Sequence, residues 1–179
     1  RQVLQKEMAE DRLFCSCIRC CEVKDKVVEI DAIELVKRTY QGSGGQEIFL
    51  SFESLEVNNQ SKRTIHAFLR LRLSSNTFRK SLQNTALVRE LHVYGKLIPT
   101  YLSKIETNNQ HHGLGGRLLK RAEEIAHEEK FNKLAIISGV GVREYYRKKG
   151  YYLNDSYMMK NLNNDNLFQN VYLMTILSL

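Results

Sequence analysis

The sequence predicts an α/β fold, a mixed and mostly antiparallel sheet flanked by helices. Two patterns carry the prediction. Apolar and polar residues alternate at period two through the first half, most regularly over 65–73 and 86–94. The second half then runs helix, strand, helix, strand over 114–129, 134–138, 142–149 and 151–159. Composition agrees: 42% hydrophobic and 26% charged residues with a single proline, Pro99, describe a folded domain without long disorder.

Residues 1–13 read as a short helix, with Val3, Leu4, Met8 and Leu13 at near-helical spacing, followed by a cysteine-rich loop. Strands are expected at 28–40 and 46–53, joined by the turn Gly42-Ser43-Gly44-Gly45. Residues 56–61 read as a polar turn and 65–73 as the third strand, while 74–85 look irregular. In the fourth strand, 86–94, alternation puts Leu87, Arg89, Leu91 and Val93 on one face and Val88, Glu90, His92 and Tyr94 on the other. A long connection, 95–109, precedes the clearest helix, 114–129, whose stripe is Leu114, Leu118, Leu119, Ala122, Ile125 and Ala126. The apolar run 134–138 reads as a central strand, 142–149 as a helix stopped by Gly150, and 151–159 as a strand. A polar linker, 161–166, and an apolar tail, 167–179, close the chain. The tail is shorter than the ~20 residues needed to span a bilayer. It is expected to be a last strand, with a truncated membrane anchor as the alternative. This divides the chain into a junction (1–27), a main domain (28–160) and a tail (161–179).

The formal net charge of +7 suits a partner that carries phosphate. All four cysteines lie within seven positions, too crowded to cross-link distant parts of a fold. Cys15, Cys17 and Cys20 can instead converge three thiolates on one structural zinc, with Cys21 or His92 as fourth ligand. Free thiols in a reducing compartment are the alternative. The opening residues form a charged helix without an initiator methionine, as in a piece of a longer chain, and resemble no secretory leader.

The stretch Gln110-His111-His112-Gly113-Leu114-Gly115 is the most specific chemical signal. It leads into a helix whose N-terminus exposes unpaired N–H groups and the positive end of the helix dipole, a seat for an anion. Gly113, Gly115 and Gly116 open the backbone to close approach. No Ser, Thr, Asp or Asn stands at 110–113 to cap the helix. Its charges also run against the dipole, with Arg117, Lys120 and Arg121 early and Glu123, Glu124, Glu128 and Glu129 late. A bound phosphate resolves both features; an ordinary glycine-rich turn is the plainer alternative. Downstream, Gly139-Val140-Gly141 enters a helix carrying Tyr145 and Tyr146, which point about 100° apart.

The glycine stretch and the tyrosine helix together resemble the GNAT acetyltransferase fold. Longer stretches resemble one branch of it, the catalytic subunit of Elongator: Val88-Arg89-Glu90-Leu91-His92-Val93-Tyr94-Gly95, Ile137-Ser138-Gly139-Val140-Gly141 and Tyr145-Tyr146-Arg147-Lys148-Lys149-Gly150-Tyr151. Gly44 to Ser51 and Leu69 to Arg72 agree, and Cys17-Ile18-Arg19-Cys20 resembles that family's junction upstream of its acetyltransferase domain. The resemblance covers 1–160. It implies acetyl-CoA bound by Glu90, Leu91, His92, Val93, Leu114, Gly115, Gly116 and Tyr146, with Gln110, His111 and Gly113 completing the loop. It also implies a tRNA substrate carboxymethylated at its wobble uridine. An upstream radical-SAM domain, absent from this sequence, would hold S-adenosylmethionine and an iron–sulfur cluster.

In such a reaction backbone N–H groups near Leu91 to Val93 would hold the carbonyl, Glu90 or His92 would act as base directly or through water, and Tyr145 or Tyr146 would protonate the thiolate. Surface pairing for Glu90, a structural histidine at 92 and aromatic packing for the tyrosines are the plainer readings. Alternatives for the whole are a lysine or histone acetyltransferase and a tRNA-binding module without catalysis. Other Elongator-type subunits or self-association are expected partners, and the expected location is cytoplasmic, with the nucleus as alternative.

Overall fold

The computed structural model describes residues 2–11, 13, 15–23, 32–56, 59–74, 77–94 and 113–162. Residues 28–31 of the expected first strand, the connection 95–109, the loop residues Gln110, His111 and His112, and the tail beyond Leu162 lie outside them. No helix among the described residues is long and apolar enough to cross a membrane.

Strands β1 (Glu34–Gly42), β2 (Gly45–Glu56), β3 (Asn59–Leu73) and β4 (Thr85–Val93) form an antiparallel meander. The β1–β2 hairpin closes on two residues with positive φ, Ser43 at 47° and Gly44 at 73°, the geometry that matches strand twist. Gly45 follows because a Cβ there would lie 2.9 Å from the Leu73 carbonyl oxygen. Helix α3 (Leu114–Glu128) lies between β4 and β5 (Lys133–Ile137) in sequence, as parallel neighbours require. After α4 (Arg143–Arg147) come β6 (Tyr152–Asn154) and β7 (Tyr157–Asn161), giving one seven-stranded sheet in the order β1-β2-β3-β4-β5-β7-β6. Short helices α1 (Gln2–Glu10) and α2 (Ile18–Cys21) precede it. This is the mixed, mostly antiparallel, helix-flanked architecture the sequence predicts.

The apolar stripe of α3 packs on one sheet face, where Leu118, Leu119 and Ile125 meet Leu50, Phe52, Leu69, Val88 and Ile136. Each such side chain contributes about 1.5–3 kcal/mol by leaving water. The opposite face carries a separate small cluster of Leu82, Ala135 and Met159, with Leu87 and Tyr157 packed on it.

Five expectations need correction. The stretch 56–61 is not all turn, because β3 already begins at Asn59. The last strand, 151–159, is a hairpin: Asp155 takes φ 59°, and β7 pairs with both β5 and β6. The cysteine loop contains the helical turn α2. Val3 and Leu4 of α1 remain exposed, at 69% and 59%, Met8 is half-buried, and no residue of α1 is fully buried. The alternation along β4 is interrupted: Arg70 pairs with Glu90 and Leu71 with Val88, leaving Arg89 as a bulge. One extra residue flips the period, so Ala86, Val88 and Leu91 share the α3 face while Glu90 and His92 fall on the other.

Candidate functional site

Strands β4 and β5 pair only from Thr85–Lys133 to Val88–Ile136. Beyond Val88, β4 continues through Val93 hydrogen-bonded to β3 alone, and β5 ends at Ile137. The backbone of 89–93 that faces away from β3 therefore has no strand partner among the described residues. It offers amide groups to whatever enters the gap between the two strands.

The N-terminus of α3 closes one end of this gap. Gly113 takes φ 94°, in the left-handed region, and no side chain caps the helix. A Cβ on Gly115 would lie 3.2 Å from Val93 Cγ2 and 3.3 Å from the Tyr145 hydroxyl, and one on Gly116 would lie 3.2 Å from Lys149 Nζ. The first turn of α3, the end of β4 and the tyrosine helix, separate in sequence, thus meet at one point. Beside it a pocket of about 430 Å³ is lined by four cations, Arg117, Lys120, Lys149 and Lys160.

The reversed charge order of α3 is partly absorbed within the protein. Arg121 donates to Glu124 at 2.9 Å and to Glu128 at 3.1 Å, and the Arg117 guanidinium lies 4.5 Å from the centroid of the Phe52 ring. Lys160 donates to Glu123 at 2.8 Å. Lys120 has no carboxylate partner among the described residues, and Lys149 Nζ rests 5.0 Å from the Tyr145 ring centroid.

The two tyrosines divide as their spacing requires. Tyr145 keeps 41% exposure, and burial raises its pKa. Tyr146 is 6% exposed, edge-on to Tyr145 at 5.1 Å, and burial together with Tyr145 pushes it up to about 12. Behind it Tyr151 donates 2.7 Å to Glu123. Burial first, then the Glu123 charge, hold that phenol protonated. This buried Tyr151–Glu123–Lys160 chain escaped the sequence reading. Its one signal was a glutamate four residues after Leu119 on the buried stripe.

Glu90 and His92 sit on the face away from α3. Glu90 pairs with Arg70 at 3.7 Å, and the His92 ring lies 5.9 Å from Phe68 and 4.4 Å from Tyr94. Their backbones, with those of Leu91 and Val93, border the gap; their side chains point elsewhere.

The sulfurs of Cys15, Cys17 and Cys20 all lie within 4.8 Å of one another, and neither Cys21 nor His92 joins them. Tetrahedral zinc with bonds of ~2.3 Å sets its sulfurs ~3.8 Å apart, so the trio fits three of four ligands. Gln5 Nε2 donates to Cys20 Sγ at 3.7 Å, tying α1 to the cluster, and Val23 N–H donates to the Ile65 carbonyl at 2.8 Å, tying the junction to β3.

No family model matches the chain. It is 44% identical over 169 residues to a tRNA uridine(34) acetyltransferase of Methanocaldococcus jannaschii, covering 90% of this chain and 30% of that protein. It is 44% identical over 146 residues to Elongator complex protein 3 of Saccharomyces cerevisiae, covering 79% and 25%. A solved structure of the archaeal Methanocaldococcus infernus Elp3, lacking its first 46 residues, matches 89% of this chain and 38% of that one, with 43% identity and a TM-score of 0.74. The chain spans about a third or less of the length of the curated relatives it matches.

Proposed function

From the premise that the chain belongs to the Elongator complex protein 3 family, whose acetyltransferase-like region it spans, we propose that it binds acetyl-CoA in the gap between β4 and β5 and serves the acetyl transfer by which that family modifies uridine 34 of tRNA. The observation that carries the reading is the meeting of Gly115 with Val93 and the Tyr145 hydroxyl, 3.2 and 3.3 Å from a Cβ position. It sets an anion seat, free strand amides and a phenol around one opening.

In this reading the first N–H groups of α3, with Lys120 and Lys149, hold the pyrophosphate. The N–H groups of Leu91 and Val93 donate to the thioester carbonyl and to pantetheine, which a strand left unpaired is built to receive. Tyr145 donates a hydrogen bond to the thiol sulfur as charge develops there. Tyr146, at about 12, is too weak an acid to give up its proton fully. Its ring packs edge-on to Tyr145 at 5.1 Å, and it orients that phenol. A zinc ion on Cys15, Cys17 and Cys20 would fix α1 and the junction against β3 without taking part in the reaction.

Isothermal titration with a non-hydrolysable acetyl-CoA analogue tests the reading. Binding is expected, together with its loss in Gly113→Glu/Gly115→Glu. No binding at millimolar ligand, or binding indifferent to both substitutions, overturns it. Release of free thiol from acetyl-CoA should rise when tRNA is added, which separates this reading from simple lysine transfer.

A further inference from the structure

We propose a second site, on the sheet face opposite α3, that takes one unstacked base of single-stranded RNA on Phe78. A cavity of about 280 Å³ lies there, lined among others by Arg72, Phe78, Arg79, Leu82, Leu87 and Tyr157. Its floor is the second apolar cluster, where Leu87 and Tyr157 pack on Leu82, Ala135 and Met159. None of these side chains belongs to the core beneath α3, so the cavity is separate from the gap between β4 and β5.

Phe78 is 93% exposed, more than any other large apolar side chain among those the structure leaves in solvent. A phenyl ring so exposed at a cavity rim buries little area in the isolated fold and leaves a face open for stacking. The Arg79 guanidinium lies 5.7 Å from the ring centroid, and Lys80 follows on the 3₁₀ turn. Arg72 enters the rim already fixed, donating to the carbonyls of Gly42 at 3.0 Å and Ser43 at 2.8 Å and to Glu47 at 2.8 Å. Arg89 donates to the same Glu47 oxygen at 2.9 Å, so two arginines flank one carboxylate. Asp155, which accepts from Ser81 at 3.4 Å, is the other acid nearby.

An apolar floor, one open aromatic ring and a cationic rim are the components that recognise an unpaired nucleotide: the base stacks and the phosphate meets the cations. The cavity is at the lower limit of small-ligand pockets, ~300 Å³, which suits one nucleotide. The inference rests on the tRNA reading above for its partner, and it deepens that reading by placing an RNA contact on the face away from the acetyl group.

The test is fluorescence anisotropy of a short, unstructured, uridine-rich RNA with the full chain. Phe78→Ala should weaken binding by about five- to a hundredfold, the range for loss of a stacked base, and Phe78→Tyr should restore it. Arg79→Gln should weaken binding and flatten its salt dependence. Equal affinity in Phe78→Ala, competition by inorganic polyphosphate or an acidic peptide as effective as by the RNA, or no RNA binding overturns the proposal. Titration of the acetyl-CoA analogue into Phe78→Ala should match the parent, and loss of that binding would refute the separation of the two sites. RNA binding without acetyl-CoA binding would leave this site standing and remove the function proposed for the gap.

Discussion

Gly115 is where a single hydrogen decides access. A methyl group there would press on Val93 and on the Tyr145 hydroxyl at 3.2 and 3.3 Å, tighter than ordinary contact. Gly115→Ala should gain the usual helix preference of alanine yet lower affinity for the acetyl-CoA analogue about tenfold, roughly 1.4 kcal/mol. In a Tyr145→Phe background the loss should be smaller, because one of the two crowding atoms is gone; equal losses in both backgrounds would separate the two residues. A different residue governs acid stability. Burial raises the Glu53 pKa, but hydrogen bonds from Arg38 and Ser51 and the charges of Arg38 and Arg63 outweigh it, so the folded value is lowered. A lowered carboxyl stabilises the fold above its unfolded value of about 4.5, and that contribution disappears as pH falls towards the folded value. Glu53→Gln should therefore reduce the urea midpoint clearly at pH 7, with a difference that shrinks below pH 4.5; a constant difference would assign the effect to packing.

At the scale of elements, the bulge at Arg89 and the early end of β5 do the positioning. Four paired residues hold β4 against β5, and the next five run free on that side. Hydrogen exchange should show the β5-facing amides of 89–93 exchanging faster than those of 85–88, and slowing when the acetyl-CoA analogue binds. Unchanged exchange on binding would place the ligand outside the gap. The packing of α3 sets the other wall: Leu118→Ala, at a fully buried position, should cost about 2–5 kcal/mol in chemical denaturation. A smaller cost would mean that α3 is held by its ends rather than by its stripe.

Across the whole molecule, the two sheet faces are proposed to serve two chemistries, one under α3 for the acyl carrier and one bearing Phe78 for RNA. Much of the first was legible in the sequence. The stripe of α3, the turn at Gly42–Gly45, the uncapped glycine start of a helix and the tyrosine pair are local signals, set by period, by φ and by missing caps. The cysteine spacing was equally local, and its three sulfurs do converge. Faces and partners were not legible. Period two predicted the orientation of Glu90 and His92 until one unmatched residue, Arg89, reversed it, and a bulge is a property of two strands paired, not of one. The Glu123–Tyr151 bond joins residues 28 apart in sequence, and the cavity beside Phe78 exists only once β4, β7 and the 3₁₀ turn lie together. By itself, then, the sequence determined most of the helix and strand segments and where the glycine-rich helix start and the cysteine cluster lie, because backbone preference and periodicity act within a few residues. The tertiary structure alone decided which side chains face the opening between β4 and β5, because strand register is a contest among distant segments for one buried face.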